Sequence, residues 1–378
     1  MKVTALGGCG AMGRATAWDL AENDAVDDLL VADADIDAAE EFAAELPGDV
    51  DTEYVDVTNH DQLVSVVEDS DVVANALPYK FNTDVMEACL DADAHYLDLG
   101  GLYHVTQDQL EYDDEFVEND LVAVLGMGAS PGMTNVAAAK GVEQLDAVEE
   151  VHIRTGAKGG AEGFAYSAKT ILDELTMEPV VYENGEIESL PSLSGRERYE
   201  MPDPVGEVEG FHSIHSELAT MPETFEGVET VDFRVAFAPS LVNIGEVLIN
   251  QGLTSEEPVE FEGAEFSPRE FIDWYFDQQP SPGAVEEWKS FRIDVAGTKD
   301  GEPAQYRYTV VVESRLDDWD LKATAVWTGV PMAVAADVVG RGDALTTGAK
   351  PPEELFDPGQ FIDELAERDI HIEEERIE

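Results

Sequence analysis

The sequence predicts an α/β fold in two parts, a doubly wound parallel sheet followed by an α+β domain built on an antiparallel sheet. Three observations predict it. A glycine-rich turn follows the first apolar strand, strands and helices then alternate as far as residue 147, and strands paired through tight turns come next. Alternating strands and helices are typical of parallel sheets, whereas consecutive strands with turn signals form antiparallel sheets.

The chain opens on a strand, a glycine turn and a helix. The apolar segment Lys2 to Leu6 leads into Gly7-Gly8-Cys9-Gly10-Ala11-Met12-Gly13. The glycines of this pattern allow a tight turn, the approach of a pyrophosphate to the backbone and close packing of helix on strand. Free N–H groups at the helix start attract phosphate. The pattern predicts a Rossmann dinucleotide site with these ligands: Gly8, Gly10, Ala11, Met12 and Gly13.

The second predicted strand ends at Asp33, about twenty residues after Gly13, as in dinucleotide-binding domains. A carboxylate at this place accepts hydrogen bonds from the adenosine ribose and repels a 2′-phosphate. The sequence therefore predicts NAD as the cofactor. NADP stays possible because Arg14 begins the following helix, beside the phosphates.

The remaining elements of the first part follow in order. Strands are predicted at 53–57, 71–76, 95–99 and 121–125, and helices at 36–46 and 62–68. Ligands of such sheets lie outside the carboxyl ends of the strands. From the carboxyl ends of the third and fourth strands and the residues directly after them we expect these further cofactor contacts: Asp56, Val57, Asn75, Ala76, Leu77 and Pro78.

The second part carries hairpin signals. Asn184-Gly185 separates two short strands, which is the strongest short-range signal for a tight hairpin. The segment 231–237 alternates apolar and polar residues as a half-buried strand does. The segments 291–296 and 306–312 flank a Lys-Asp-Gly turn, and helices are predicted at 332–339 and 359–367. We place the domain boundaries at 1–147, 148–330 and 331–378, and expect the last, helical segment to return to the first domain.

The charge of the chain is extreme, because 83 acidic and 21 basic residues give a formal net charge of -62. Such repulsion destabilises a compact state unless salt screens it, which predicts a halophilic protein in a high-salt cytoplasm. The charge also argues against nucleic-acid and membrane partners. A hydrophobic content of 44% argues against disorder.

Two cysteines are too few for a disulfide framework, and we expect both to be reduced. The chain begins without a charged leader and apolar segment, and we find no apolar run of about eighteen residues that would span a membrane. A cytoplasmic protein is expected.

Several blocks, taken in order, resemble the saccharopine dehydrogenase family of NAD(P)-dependent oxidoreductases, with features of its lysine 6-dehydrogenase and carboxynorspermidine dehydrogenase members. The blocks beyond the glycine turn are 71–78, 95–100, 131–135, 215–218 and 328–331. The resemblance implies a Rossmann domain, an inserted catalytic and dimerisation domain, a homodimer, and hydride transfer at a carbon that bears nitrogen. It further implies that His215 and Glu217, which match the family's His-x-Glu block, lie near the substrate.

Proton carriers are expected among titratable residues of these loops. Lys80, Tyr103 and His104 follow the fourth and fifth strands, where the nicotinamide should lie. A histidine beside a carboxylate, as in His215 and Glu217, suits proton exchange with an amine. Each of these residues also has an ordinary structural reading, as a surface, capping or hydrogen-bonded side chain. We expect no metal site, since His212 and His215 lack a third ligand cluster.

A substrate carboxylate would need a cationic partner. Arg234, on the polar side of 231–237, suits it because a guanidinium binds carboxylates in a bidentate manner, and Asp98 and Gly100 are further candidate substrate contacts. The residues after Arg234, Ala236-Phe237-Ala238, depart from the lysine dehydrogenase pattern. The predicted function is oxidation or reduction of the C–N bond of a lysine- or saccharopine-type substrate. The alternatives are reductive condensation of a semialdehyde with a diamine, or a non-catalytic dinucleotide-binding regulator.

Overall fold

The computed structural model describes residues 1–160, 163–279 and 283–377. These residues form a seven-stranded parallel sheet, a nine-stranded mixed sheet and a two-stranded hairpin. The predicted fold class is thereby confirmed.

Six strands of the first sheet come from the N-terminal third. They are β1 (Lys2–Leu6), β2 (Asp28–Asp33), β3 (Val50–Tyr54), β4 (Val72–Asn75), β5 (His95–Asp98) and β6 (Val122–Val124). The helices around them are α1 (Gly13–Glu22), α2 (Ile36–Ala43), α3 (His60–Val67), the 3-10 helix Tyr79–Phe81, α4 (Asn82–Asp91), α5 (Leu102–Leu110), α6 (Asp113–Glu118) and α7 (Met133–Val142). Neighbouring strands in this sheet pair in parallel. In β1, for example, Val3 lies opposite Leu29 of β2 on one side and Val72 of β4 on the other.

The middle of the chain builds the second sheet and its cover. Its strands are β7 (Ala147–Gly159), β8 (Val180–Glu183), β9 (Glu186–Ser189), β10 (Glu197–Glu200), β11 (Glu207–His212) and β12 (Thr230–Val235), then the separate hairpin β13 (Val259–Phe261) and β14 (Ala264–Phe266), then β15 (Glu287–Lys299) and β16 (Glu302–Glu313). Its helices are α8 (Ala168–Thr176), α9 (Glu217–Thr224), α10 (Pro239–Asn250) and α11 (Pro268–Asp277).

The C-terminal segment completes both sheets. It consists of α12 (Ala323–Gly340), β17 (Gly348–Lys350), α13 (Pro352–Leu355), α14 (Pro358–Ala366) and β18 (Glu373–Ile377). The first sheet has the order β17-β6-β5-β4-β1-β2-β3, so the strand order reverses between β1 and β4. A ligand of a doubly wound sheet lies at this reversal.

The second sheet has the order β10-β11-β12-β7-β15-β16-β18, with β8 and β9 attached beside β12. It is antiparallel except between β12 and β7, which run parallel. The expectation of an antiparallel sheet therefore holds for most of it. The hairpin predicted at Asn184-Gly185 is present as β8 and β9.

Some predicted elements were displaced or missed. The third strand ends at Tyr54, three residues before the predicted end. The edge strands β17 and β18 were not predicted, because three residues of small or cationic character and a run of glutamates carry no apolar alternation. The expected boundary at 331 falls inside α12.

Helix α12 is the central helix of the molecule. Among the described residues it is the one helix long and apolar enough to cross a membrane, and 89% of it is buried inside the fold. The sequence expectation that no apolar run of this length exists was wrong here. Helix α12 packs on α1 at Gly329, where an added Cβ would lie 2.7 Å from the backbone nitrogen of Thr16. The Thr16 hydroxyl donates to the carbonyl oxygen of Gly329 at 3.0 Å.

Candidate active site

The glycine turn after β1 leaves its backbone open to a ligand. The N–H of Gly10 donates to the carbonyl oxygen of Gly7 at 2.9 Å. A Cβ added at Gly13 would lie 2.2 Å from that same oxygen, so only glycine fits there. Neither Met12, which caps α1, nor the first helical turn carries a carboxylate. The positive end of the α1 dipole therefore meets no carboxylate of its own first turn, which suits a pyrophosphate, and the turn fits the dinucleotide that the sequence predicts.

Asp33 lies at the carboxyl end of β2, where the adenosine ribose of a dinucleotide is expected. Its Oδ1 accepts the N–H of Asp35 at 3.0 Å. Burial and a hydrogen bond to the Asp33 carboxylate raise the pKa of Cys9 to about 12, so the thiol stays protonated. Arg14 lies over the ring of Phe42, 4.1 Å from its centroid.

Three further cofactor candidates stand around this end of the sheet. Arg14, the cation near the phosphates that left NADP possible, forms an ion pair with Glu45 at 3.0 Å. In the loop after β3, Oδ1 of Asp56 accepts the backbone N–H and the hydroxyl of Thr58. Val57 packs against the apolar layer of the sheet.

A cleft of about 710 Å³ opens between the two sheets, over the carboxyl ends of the first-sheet strands. The predicted residues that line it are Ala11, Met12, Ala76, Leu77, Pro78, Gly100 and His215. Glycines 8, 10 and 13 form the turn behind Ala11 and Met12. The far wall comes from β7, β12, β15, α8 and α12.

His215 and Glu217 form a buried ion pair at the cleft. Nδ1 of His215 bonds to the Glu217 carboxylate, and the imidazole stacks on Phe233 with 3.9 Å between ring centroids. Glu217, 0% exposed, also accepts the hydroxyls of Ser130 at 2.5 Å and Thr134 at 2.8 Å. The arrangement leaves Nε2 of His215 as the ring nitrogen available to the cleft.

The pair holds a proton on the imidazole. Burial acts to lower the pKa of His215, but the Glu217 carboxylate more than offsets burial, and the pKa lies above its ordinary value. Burial acts in turn to raise the pKa of Glu217, and the His215 charge with the hydroxyl donors brings it below its ordinary value. An imidazolium of this kind can donate a proton to a substrate.

Glu174 is a cleft residue that sequence reasoning missed. It lies on α8, is 8% exposed, and its two carboxylate oxygens accept the hydroxyl of Tyr166 at 2.9 and 2.8 Å. Burial raises its pKa to about 7, against the opposing effects of His215, Tyr166 and Lys289. No sequence signal marks it, because acidic residues occur on most helices of this chain.

Lys289 places a cation on the wall of the cleft. Its Nζ lies 3.7 Å from Glu287 and 5.9 Å from the centroid of the Trp327 ring. Glu287 is itself held by the backbone N–H and the hydroxyl of Thr324, at 2.8 and 2.7 Å. Lys289 shares a strand face with the buried Phe291, and a lysine on an apolar face was a signal that the sequence offered.

Two predicted site residues lie in a buried polar network instead. Asp98 accepts hydrogen bonds from the N–H groups of Gly100 and Gly126 and from the hydroxyl of Tyr96. Burial raises its pKa. Asn75 donates to Tyr96 and accepts the N–H of Leu77. Both residues shape the loops that border the cleft, and neither lines it.

The structure does not bring the other predicted proton carriers into the cleft lining. Lys80 is exposed and lies over Phe81, 4.6 Å from the ring centroid. The Tyr103 hydroxyl accepts from the side chain of Gln107, and its ring contacts the exposed His104 edge-on. Lys80 and His104 are exposed, whereas Tyr103 is half-buried and packs against the apolar core.

Arg234 lies on the face of the second sheet that points away from the cleft. Successive side chains of a strand point to opposite faces, and Phe233 and Val235 line the cleft. Arg234 pairs with Asp232 and, at 3.1 Å, with Glu197. At this location Arg234 does not reach the cleft, where it was expected to bind a substrate carboxylate.

His212 is on the same outer face as Arg234. Its Nδ1 lies 3.8 Å from Asp232, and burial lowers its pKa. The two histidines of the His-x-x-His segment are thus separated by the sheet.

Comparisons with known proteins extend over nearly the whole chain. Residues 3–124 match the saccharopine dehydrogenase NADP binding domain, and residues 128–370 match the saccharopine dehydrogenase C-terminal domain. The carboxyaminopropylagmatine dehydrogenase of Synechocystis is 25% identical over 380 residues, 95% of this chain and 94% of that protein. The carboxynorspermidine synthase of Vibrio alginolyticus is 25% identical over 405 residues, 97% of this chain and 96% of that protein.

Solved structures show the same fold. Saccharopine dehydrogenase (L-Glu forming) from Saccharomyces cerevisiae superposes with a TM-score of 0.75 at 16% identity, over 100% of both chains. Homospermidine synthase from Legionella pneumophila, solved in complex with NAD, superposes with a TM-score of 0.65 at 13% identity, over 98% of this chain and 91% of that one. With both domain matches and the cofactor turn in place, the chain belongs to the saccharopine dehydrogenase family and is an NAD(P)-dependent oxidoreductase of CH–NH groups.

Proposed function

We propose that the protein interconverts a secondary amine with a semialdehyde and a primary amine, and that the substrate carries a carboxylate on one arm and a cationic nitrogen on the other. The observation that carries the proposal is the pairing of opposite charges in one cleft, where Lys289 and Glu174 both line the wall beside His215. The names of the two relatives, a carboxynorspermidine synthase and a carboxyaminopropylagmatine dehydrogenase, support it.

The reaction balances as follows. An aldehyde and a primary amine lose water to give an imine, and the imine takes up one hydride and one proton to give the secondary amine. NAD(P)H, when bound, supplies the hydride to the imine carbon. His215, held as an imidazolium by Glu217, delivers the proton to nitrogen through Nε2. In the oxidative direction the same nitrogen of His215 takes the proton back.

Other residues of the cleft bind the two arms of the substrate. Lys289 binds the carboxylate arm through its ammonium group, and the Trp327 ring beside it excludes water from that pair. Phe164, Phe237 and Phe276 line the same cavity and suit the methylene chain of an amine. Saccharopine is itself a secondary amine with carboxylates, so it and lysine belong among the candidate substrates.

The assembly is proposed on the family resemblance, and the location is the one expected from the sequence. We expect a homodimer, as the resemblance implies, in the cytoplasm. Light scattering coupled to size exclusion in molar salt measures the mass, and a mass of one chain would rule the dimer out.

The test is turnover in molar salt. Aspartate β-semialdehyde is offered with 1,3-diaminopropane, putrescine or agmatine while the absorbance of NADH or NADPH is followed. Lysine and saccharopine are offered with the oxidised cofactors in parallel, and reactions without amine are the control. Consumption of reduced cofactor that needs both aldehyde and amine supports the proposal. Cofactor binding without turnover of any pair would instead favour a dinucleotide-binding regulator.

A further inference from the structure

The buried carboxylate of Glu174 takes no part in the proton transfer at His215. Its carboxylate borders the cleft, and within the described residues both of its side-chain hydrogen bonds come from the hydroxyl of Tyr166. A hydroxyl supplies only one proton, so the carboxylate keeps acceptor capacity towards the cavity. A buried carboxylate with spare acceptors is costly unless a cation or proton compensates it.

The other carboxylates near the cleft are already committed. Glu217 binds the imidazolium of His215. Asp173, the neighbour of Glu174 on α8, pairs with Arg269 at 2.5 Å and with Lys169 at 2.9 Å. Glu287 is held by Thr324. Glu174 is thus the carboxylate of the described cleft wall that can receive a charged ligand.

The surroundings of Glu174 also suit a cationic ligand. Tyr166 and the rings of Phe164, Phe237 and Phe276 line the cavity with it. Aromatic faces attract ammonium and guanidinium groups, and they exclude water from an ion pair.

Titratable groups lie on α8 and on the segments near it. Those that act on Glu174 are His215 before α9, Lys289 on β15 and Asp173 on α8 itself. Glu287 on β15, Arg269 and Asp273 on α11, Lys169 on α8 and Tyr79 after β4 contact Lys289, Asp173 or each other. On α10, Glu246 pairs with Arg196 instead. His215 and Lys289 act directly on Glu174, whereas Arg269 and Lys169 are neutralised by Asp173 and Asp273.

We propose that Glu174, positioned by Tyr166, anchors the cationic nitrogen at the far end of the amine substrate, so that the enzyme selects diamines and agmatine-like amines over monoamines. This inference rests on the proposed function and names the amine that the reaction accepts. Binding of the cation requires the carboxylate form of Glu174. Because the pKa of Glu174 lies at about 7, the preference for a dication should be weak in acid and grow as the pH rises through neutrality.

The first experiment uses pairs of amines that differ only in the far cation. Turnover with 1,3-diaminopropane is compared with propylamine, and turnover with putrescine or agmatine is compared with butylamine. The wild-type enzyme should prefer the dication about tenfold or more in kcat/KM, the size expected of a hydrogen bond to a charged group. In Glu174→Gln this preference should disappear, while KM for the semialdehyde stays within about threefold.

The matched control is Glu178→Gln, which changes an exposed glutamate just beyond α8 and should leave the preference intact. Tyr166→Phe provides an independent arm. The hydroxyl of Tyr166 lowers the pKa of Glu174, so its loss should move the onset of the preference to higher pH without abolishing it. If Glu174→Gln fails to fold, the pH shift in Tyr166→Phe tests the role of Glu174 in its place.

Two results would overturn the inference. One is a Glu174→Gln enzyme that retains the preference for the dication or loses activity equally with both amines. The other is a Tyr166→Phe enzyme whose preference begins at the wild-type pH. Failure of the proposed function looks different, because the wild-type enzyme would then turn over neither member of any pair.

Discussion

The hydroxyl of Tyr79 donates to Oδ2 of Asp173 at 2.6 Å, and this hydrogen bond joins the first domain to the second beside the cleft. Tyr79 follows β4, whereas Asp173 lies on α8 and is fixed there by Arg269. Burial and the Asp173 carboxylate raise the pKa of the phenol, which therefore remains a donor. One tyrosine thus ties the cofactor side of the cleft to the helix that carries Glu174.

Tyr79→Phe should loosen this connection. A hydrogen bond to a charged acceptor contributes about 1.5–3 kcal/mol, so we expect thermal unfolding in molar salt to begin about 2–4 °C lower. KM for the substrate should rise because the wall of the cleft moves more freely. Tyr54→Phe, at an exposed tyrosine of β3, is the matched control. Equal melting of the two variants would contradict a joining role for Tyr79.

Glu217→Gln should change the pH dependence of the reaction. The Glu217 charge keeps the pKa of His215 above its ordinary value, so the wild-type proton donor persists to higher pH. Without that charge, burial dominates, and the alkaline limb of kcat/KM for reduction should move to lower pH by about one unit. His371→Gln, on an exposed histidine, should leave the profile unchanged. A coincident limb in Glu217→Gln would exclude His215 as the titrating donor.

Asp33→Asn tests the choice of dinucleotide. The carboxylate at the end of β2 should favour NAD, since it accepts from the ribose hydroxyls and repels a 2′-phosphate. We expect KM for NAD to rise about tenfold in the variant while KM for NADP falls or stays constant. Initial rates with each cofactor measure this, with Asp37→Asn on α2 as the control. A wild-type enzyme that prefers NADP would refute the assignment.

Salt should govern the stability of the fold. At a net charge of -62 the repulsion between carboxylates reaches across the molecule when the Debye length grows to about 30 Å in dilute salt. Dialysis into millimolar salt should therefore remove much of the far-ultraviolet circular dichroism, and molar potassium chloride should restore it. An unchanged spectrum after dialysis would show that the surface does not depend on screening.

The sequence predicts the first domain well because its signals are local. The turn at Gly8, Gly10 and Gly13 and the strand ending at Asp33 carry spacing and conformation that few other folds need. The succession of strands and helices from β1 to β6 along the chain follows from the alternation of apolar segments and helical patterns. The edge strand β17 could not be predicted, since its three residues form a strand only because β6 offers an unpaired edge.

The candidate site is less predictable because it depends on which face of a sheet meets which domain. Alternation along β12 separates Arg234 from Phe233, but both faces of the strand are covered, and sequence alone does not say which one faces the cofactor. Glu174 is one acid among 83, and its distinction is the low polarity around it. His215 and Glu217 were found through family resemblance, and the structure supplies their contact.

The C-terminal segment has a consequence for how the protein is made. Val124 of β6 pairs with Lys350 of β17, and Tyr308 of β16 pairs with Glu374 of β18. Each sheet therefore lacks one of its edge strands until the C-terminal segment has been synthesised. Helix α12, which packs between the sheets, also arrives late. Contacts so distant in sequence slow folding, and a nascent chain would expose apolar edges throughout translation. We therefore expect the two domains to fold as one unit, and a fragment of residues 1–147 alone should aggregate in the cell instead of binding a dinucleotide.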